Sequence, residues 1–338
     1  MQRELVGTGV TTSAVGFGCA GLFRIPQRNA RRLTLDAAFD AGIRHFDVAP
    51  MYGLGVAEAE LAPFLRHRRA DVTVTTKFGI EPTIISKGIA QVQRPMRAYL
   101  AKRPSVSEDL KVVGQGPRSG VVGRLLYGSP GYHRQSARLG LERSLRALGT
   151  DYIDVFLLHD PIEDLIAEAP SLVDYLNEQC RAGRIRCWGV AGESSELPGI
   201  MRALGHTPVT QFRDDIFDRP PTDEYASGAA WITYGALART LPLLRRFLAQ
   251  SPDASRTWSE RLGMDLAEES TLPKMLLSAA LHRNPAGPVL FSTTRPERAR
   301  VAADAATRSA GLSETELTTF SEFAAAARRA STEMIEIS

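Results

Sequence analysis

The sequence predicts an α/β chain closed into a (β/α)8 TIM barrel, with an N-terminal β-hairpin and long loop insertions at the C-terminal mouth. Two observations carry this. Short apolar, β-branched runs alternate with segments of helical spacing, which is the pattern of a parallel sheet or barrel. Three successive strand-like runs also end in residues with chemistry, Asp47, Lys77 and His159. Parallel strands closed into a barrel gather their C-terminal ends around one mouth, where side chains of this kind can converge.

The elements follow in order. Glu4 to Ala14 places Gly7-Thr8-Gly9 between two short strand-like pieces and predicts a hairpin. A dinucleotide fingerprint starting at Gly7 and Gly9 is set aside, because its sixth position is Thr12 and no helix pattern follows at once. Gly16-Phe17-Gly18 ends the first barrel strand, and Asn29 to Ala41 has helical spacing. Arg44 to Val48 is the second strand, Ala57 to Arg66 its helix, and Val72 to Lys77 the third strand.

The alternation then breaks. Residues 80–135 are rich in Lys, Arg, Gly, Pro and Tyr without a long amphipathic run, as expected of an insertion. It starts at the mouth and is open to two readings, a substrate lid or a peripheral decoration, with Tyr99, Tyr127, Tyr132 and His133 as groups able to reach a substrate. Helix Ala137 to Leu148 and strand Tyr152 to Leu158 restore the pattern. Helix Asp174 to Ala182, strand Ile185 to Val190, helix Glu196 to Leu204 and strands Pro208 to Phe212, Ala230 to Tyr234 and Val289 to Phe291 complete the barrel. A second insertion is expected at 250–271, followed by helices Pro273 to Arg283, Arg295 to Thr307 and Ser313 to Arg329. The whole chain, 1–338, reads as a single barrel domain.

Composition narrows the function classes. With 338 residues, 43% hydrophobic, the chain can bury a sizeable core. A net charge of +3 spread over 41 basic and 38 acidic residues gives no reason to expect a nucleic-acid partner. The run Arg66 to Arg69 reads as a solvated helix end. No apolar stretch is long enough to span a bilayer and Met1 to Gly9 lacks a signal-peptide core, so a cytoplasmic protein without a membrane partner is expected. Cys19, Cys180 and Cys187 cannot all pair and lack metal-ligand spacing; His45, His67, His206 and His282 likewise suggest no metal.

The strand-end residues suggest their own chemistry. A carboxylate at Asp47 is costly to bury without a cation, and Lys77 ends the next strand. Tyr52 follows on a loop shaped by Pro50 and Gly53, from which its phenol can reach the same cavity. A phenol beside a cation is expected to have its pKa lowered from about 10 by about 1 to 3, which suits proton exchange near neutrality. A neutral His159 can orient a substrate oxygen by a second hydrogen bond. Each residue alone has a mundane reading as cap, packing or solvated end, and the case rests on their occurring together.

At these residues the sequence resembles the aldo-keto reductase family. The resemblance rests on GFGCAG at Gly16 to Gly21, GIRHFDVAPMYG at Gly42 to Gly53, TKFG at Thr76 to Gly79, LLHDP at Leu157 to Pro161, GRIRCWGV at Gly183 to Val190 and TQF at Thr210 to Phe212. These occur in the family's order, and Gly53-Leu54-Gly55 after Tyr52 is similar to the bacterial sugar and pyridoxal dehydrogenase branch. The resemblance implies an NAD(P)-dependent oxidoreductase acting on a small aldehyde, ketone or sugar-like substrate, with Asp47, Tyr52, Lys77 and His159 catalytic. It also implies that Gln211 holds the nicotinamide carboxamide and Tyr234 stacks on the ring, with Gly18, Cys19, Asp47, Gly235 and Leu237 along the cofactor, although for Cys19 a small buried thiol is the plainer reading. Ala191-Gly192 replaces the family's Ser-Asn, so two side-chain hydrogen bonds to the carboxamide are either missing or replaced by backbone groups. Ser292 stands where many NADP-preferring members have Lys, Thr293 where a Ser occurs, and Arg298 matches an Arg that grips a 2'-phosphate. Val301 and Ala302 replace the usual Glu-Asn pair at the adenine. Arg298 favours NADP, with NAD as the alternative. Two other functions fit the same fold: a cofactor-binding regulatory or scaffolding protein with little turnover, and a phosphate-dependent isomerase. Oligomeric state stays open.

Overall fold

The computed structural model describes residues 1–83, 131–166, 169–205, 207–217 and 229–336. Most of the 80–135 insertion, with Tyr99, Tyr127 and the lid reading, lies outside the described residues, as does His206.

Strands β1 (Gln2–Leu5) and β2 (Val10–Ser13) form an antiparallel hairpin that runs from Gln2 opposite Ser13 to Leu5 opposite Val10. Eight parallel strands close the barrel. They are β3 (Val15–Gly18), β4 (His45–Asp47), β5 (Thr73–Phe78), β6 (Ile153–His159), β7 (Ile185–Ala191), β8 (Val209–Arg213), β9 (Ala230–Tyr234) and β10 (Val289–Phe291). Each pairs with its sequence neighbour, and β10 pairs with both β9 and β3. The helices are α1 (Arg28–Asp40), α2 (Ala57–Leu65), α3 (Arg134–Leu148), α4 (Ala169–Arg181), α5 (Leu197–Leu204), α6 (Thr240–Gln250), α7 (Pro252–Leu262), α8 (Thr271–Arg283), α9 (Arg298–Ser309) and α10 (Glu314–Glu336). No helix among the described residues is long and apolar enough to cross a membrane.

Successive side chains of a strand point to opposite faces, and here that alternation sorts the two cores. Phe46, Val74, Phe156, Leu158, Val190 and Phe212 point outward into the main apolar cluster beneath the helices. Val155, Leu157, Cys187, Val209, Ile232 and Leu290 point inward and fill the barrel, where Leu5 and Val10 of the hairpin join them. The hairpin therefore closes the end of the barrel opposite the strand C-termini. Arg3 holds it there through bonds to the carbonyls of Leu281 (2.9 Å) and Gly287 (3.1 Å).

The segment 250–271 departs from its reading as a loop insertion, since helix α7 occupies residues 252–262. Pro252 stands in the first turn of this helix, where its missing N–H costs nothing. Leu262 of α7, Leu244 and Phe247 of α6, and Phe320 and Phe323 of α10 form a second apolar core, with Trp258 against Phe323 at 5.6 Å. Each fully buried side chain of this kind contributes about 1.5–3 kcal/mol. The helical spacing of α6 was itself not recognised in the sequence.

Candidate active site

The inward alternation continues to the strand ends and selects what faces the mouth. Gly18, Asp47, Lys77, His159, Ala191, Gln211 and Tyr234 all fall on the inward parity of their strands. Adjacent strands bring Gly18 opposite Asp47, His159 opposite Ala191, and Ala191 opposite Gln211.

At the centre Lys77 Nζ donates to Asp47 Oδ1 at 2.7 Å, with both side chains buried at 1% and 4% exposure. Desolvation makes such a pair costly unless its remaining valences are filled. They are: Lys77 Nζ reaches the Val48 carbonyl at 3.3 Å and Tyr52 Oη at 3.4 Å, and Gln211 Nε2 donates to Asp47 Oδ2 at 2.8 Å. Tyr52 is carried by a one-turn 3-10 segment whose first N–H bonds back to Ala49 (3.0 Å) and whose Gly53 adopts φ +60. The imidazole of His159 stands edge-on to the Tyr52 ring, with centroids 6.0 Å apart and planes at 86°.

The electrostatics correct one expectation. The phenol of Tyr52 is pushed up well above its ordinary value, by burial first and then by the carboxylates of Asp47 and Asp160. Lys77 does not reverse this, because its charge is cancelled 2.7 Å away by Asp47. Tyr52 is therefore a neutral phenol at physiological pH. Burial, with the Lys77 ammonium second, pushes His159 well below the usual imidazole range, so it too is neutral. Its Nδ1 is buried without a hydrogen-bond partner.

The backbone of His159 is fixed from outside the barrel. Tyr132 is fully buried and its hydroxyl donates to the carbonyls of His159 (2.6 Å) and Asp160 (3.0 Å). Asp160 adopts φ 44, a left-handed conformation that a non-glycine residue holds only when its surroundings enforce it. The Tyr132 ring lies over Gly79, at φ +107, where a Cβ would stand 2.1 Å from Cε1 of the ring. Tyr132 figured in the sequence reading only as one possible substrate contact, and its role as a brace for the His159 turn was not legible there.

A cavity of about 350 Å³ opens above these groups, lined by Asp47, Tyr52, His159, Gln211 and Tyr234. That volume suits a ring and a small carbonyl compound. Gly18, Gly235, Leu237 and Ser292 continue the lining, with Ser292 Oγ donating to the Gly18 carbonyl at 2.6 Å. This wall has small residues where a flat group would need close approach. Lys77 lies behind Asp47 and Tyr52. Cys19, expected along the cofactor, is 1% exposed and belongs to the main core; its thiol faces the Phe17 carbonyl at 4.0 Å and does not line the cavity. Thr293 is also buried and accepts the Arg295 N–H at 3.0 Å. Arg298 lies at the first turn of α9, 44% exposed, paired with Glu269 at 3.1 Å.

The backbone substitutes expected at Ala191-Gly192 are already engaged. The Gly192 N–H donates to the Gln211 carbonyl at 3.0 Å, and the Ala191 carbonyl accepts from Asp160 at 2.7 Å. Two charged residues of the lining, Asp160 and Arg213, were not anticipated. Ending the eighth strand at Phe212 rather than at Arg213 hid the latter. No group of three or more His, Cys, Asp and Glu side chains able to hold a metal occurs among the described residues.

Residues 14–210 match the model of the Aldo/keto reductase family. A D-threo-aldose 1-dehydrogenase from Pseudomonas sp is 30% identical over 252 residues, covering 71% of this chain and 69% of that protein. An NADH-specific methylglyoxal reductase from Escherichia coli strain K12 is 25% identical, covering 97% of this chain and 100% of that protein. Among solved structures, the holo form of an aldo-keto reductase from Bacillus halodurans superposes with a TM-score of 0.68 at 19% identity, covering 95% of both chains. That last likeness bears on the fold.

Proposed function

The chain belongs to the aldo/keto reductase family and is an oxidoreductase, and from that premise we propose that it moves a hydride between a nicotinamide cofactor and a carbonyl or alcohol, with Tyr52 as general acid and base. The observation that carries the reading is the buried Lys77–Asp47 pair (2.7 Å) with the Tyr52 hydroxyl 3.4 Å from the same ammonium, at the floor of a cavity that His159 also lines.

When bound, a reduced nicotinamide supplies the hydride. The protein's own groups handle the proton. Charge building on the substrate oxygen needs a donor within hydrogen-bond reach, and the neutral phenol of Tyr52 is that donor. Once the proton has left, Lys77 Nζ stands beside the new phenolate and stabilises it; Asp47 and the Val48 carbonyl fix the ammonium. Neutral His159 donates a second hydrogen bond and orients the carbonyl. In the oxidative direction the phenolate takes the proton back from an alcohol.

The residues present fit a nicotinamide. The Tyr234 ring offers a flat face, Gly18 and Gly235 leave room beside it, and the Gln211 carbonyl oxygen stays available for an amide once its Nε2 is held by Asp47. NADP is the proposed form, because Arg298 presents an exposed guanidinium whose partner Glu269 is itself exposed and exchangeable. NAD is the second reading, favoured by Ser292 in place of a lysine and by Val301 and Ala302 at the adenine end. The substrate is proposed to be a small aldehyde, ketone or sugar-like compound, as the aldose dehydrogenase relative suggests.

The test is a titration of the purified chain with NADPH and NADH followed by nicotinamide fluorescence, then a screen of aldoses and aldehydes for turnover. Tyr52→Phe is expected to keep cofactor binding and lose at least about 100-fold in kcat. Turnover unchanged in that variant would remove Tyr52 from the role. Cofactor binding without turnover on any carbonyl would favour a regulatory protein.

A further inference from the structure

We propose that Arg213 is the anion-binding group of the mouth, its guanidinium taking an anionic oxygen group: the diphosphate of the dinucleotide, or a carboxylate or phosphate carried by the carbonyl substrate. The proposal deepens, and rests on, the reading of this cavity as a nicotinamide site.

Placement comes first. Arg213 is the last residue of β8, two beyond Gln211 and four beyond Val209, so it shares their inward parity. It sits one layer above Gln211, which is opposite Ile232, while Arg213 is opposite Tyr234. It lines the cavity together with Tyr52 and His159. The guanidinium carbon is 5.6 Å from the centroid of the Tyr234 ring. Its stem crosses Gly235, at φ +97, where a Cβ would stand 3.0 Å from Arg213 Cγ and 3.3 Å from Nη1. The missing side chain at Gly235 is what lets the arginine lie along this wall instead of turning out to solvent.

Charge comes second. Arg213 makes no ion pair among the described residues, although it precedes two aspartates. Both are committed elsewhere: Asp214 to Arg283 at 2.9 Å and Asp215 to Arg239 at 2.7 Å. Asp47 is held by Lys77 and Gln211, and Asp160, the remaining acid of the lining, is not within ion-pair distance of Arg213. Among the described residues, the guanidinium of Arg213 thus has no carboxylate paired with it. A planar fork of N–H donors half-sheltered in this way is suited to bidentate capture of a carboxylate or phosphate.

The third element is location. The cation is beside the ring face of Tyr234 and the Gly235–Leu237 wall, away from the buried Lys77–Asp47 pair, so an anion held there would not compete for the ammonium that serves Tyr52. It would fix one end of a ligand whose other end lies at the phenol.

The experiment uses the full chain, Arg213→Gln and Arg213→Lys, with inorganic pyrophosphate as a probe that needs neither cofactor nor turnover. Pyrophosphate is expected to raise the melting temperature of the wild type and to lose that effect in Arg213→Gln, with Arg213→Lys, which keeps the charge without the fork, retaining part of it. The source of the anion is then read from two arms. If it is the diphosphate, Kd for NADPH and NADH rises at least about tenfold in Arg213→Gln. If it is on the substrate, KM for 4-carboxybenzaldehyde rises by that factor while KM for benzaldehyde is unchanged. A folded Arg213→Gln that keeps the wild-type pyrophosphate response and both affinities overturns the proposal. Failure of the nicotinamide reading looks different: no variant binds NADPH or NADH, while the difference in pyrophosphate response persists.

Discussion

Replacing Asp47 by Asn removes one charge at nearly constant volume and tests how the buried pair governs Tyr52. In the native protein the carboxylate accepts from two donors, Lys77 Nζ at 2.7 Å and Gln211 Nε2 at 2.8 Å. An Asn offers one acceptor oxygen and an NH2, so one donor is left facing another donor unless Gln211 turns its amide over. Lys77, 1% exposed, loses its counter-ion, and breaking a buried pair in this way costs about 3–5 kcal/mol. The effect on the phenol is separate. An uncompensated ammonium 3.4 Å from Tyr52 Oη favours the phenolate by about 5 kcal/mol at an effective dielectric constant of about 20. That corresponds to about three and a half powers of ten in acidity. The Tyr52 phenol of Asp47→Asn should therefore ionise at a clearly lower pH than in the wild type, where burial and Asp47 hold it up. The assay is tyrosinate absorbance against pH, isolating Tyr52 by subtracting the matched Tyr52→Phe protein in each background, with urea unfolding run alongside. An Asp47→Asn protein as stable as wild type, with an unmoved Tyr52 titration, would refute the reasoning.

Two further outcomes follow from the same structure. Tyr132→Phe leaves the carbonyls of His159 and Asp160 without their shared donor, which should cost about 1–3 kcal/mol in urea unfolding and lower kcat without abolishing cofactor binding; unchanged stability and kcat would show that the turn holds itself. His45, buried and bonded to Thr75 at 3.1 Å, has its pKa pushed down to about 4 by burial, so the unfolded chain takes up a proton that the native state refuses. This contribution is complete above pH about 6.5 and is lost as pH falls toward about 4, a loss of about 3 kcal/mol. His45→Asn should flatten the decline in stability between those pH values, and an equally steep decline in the variant would assign it to other groups.

The barrel was legible because its signals are local. A strand buried on both faces favours apolar, β-branched and aromatic residues, and Ile153, Val155 and Phe156 of β6 and Trp231, Ile232, Thr233 and Tyr234 of β9 supply them. Period-two alternation then implies that Asp47, Lys77 and His159 face one mouth, since each ends its strand or lies next to the end. What failed were two boundaries: the stretch 250–271 read as a loop insertion although α7 occupies 252–262, and strand β8 was ended at Phe212, one residue early, which removed Arg213 from view.

The sequence by itself determined the architecture, the order of the strands and the identity of four side chains that a parallel barrel must bring to one rim. Only the tertiary structure decided that Tyr52 is held as a neutral phenol, that Cys19 turns into the core, that the Gly192 N–H is already taken, and that Tyr132 braces His159. The reason is physical. Which face a strand residue takes depends on neighbours two positions away, whereas a pKa or a hydrogen-bond partner depends on burial and on charges brought from distant parts of the chain, as when Gln211 reaches Asp47 across 164 positions.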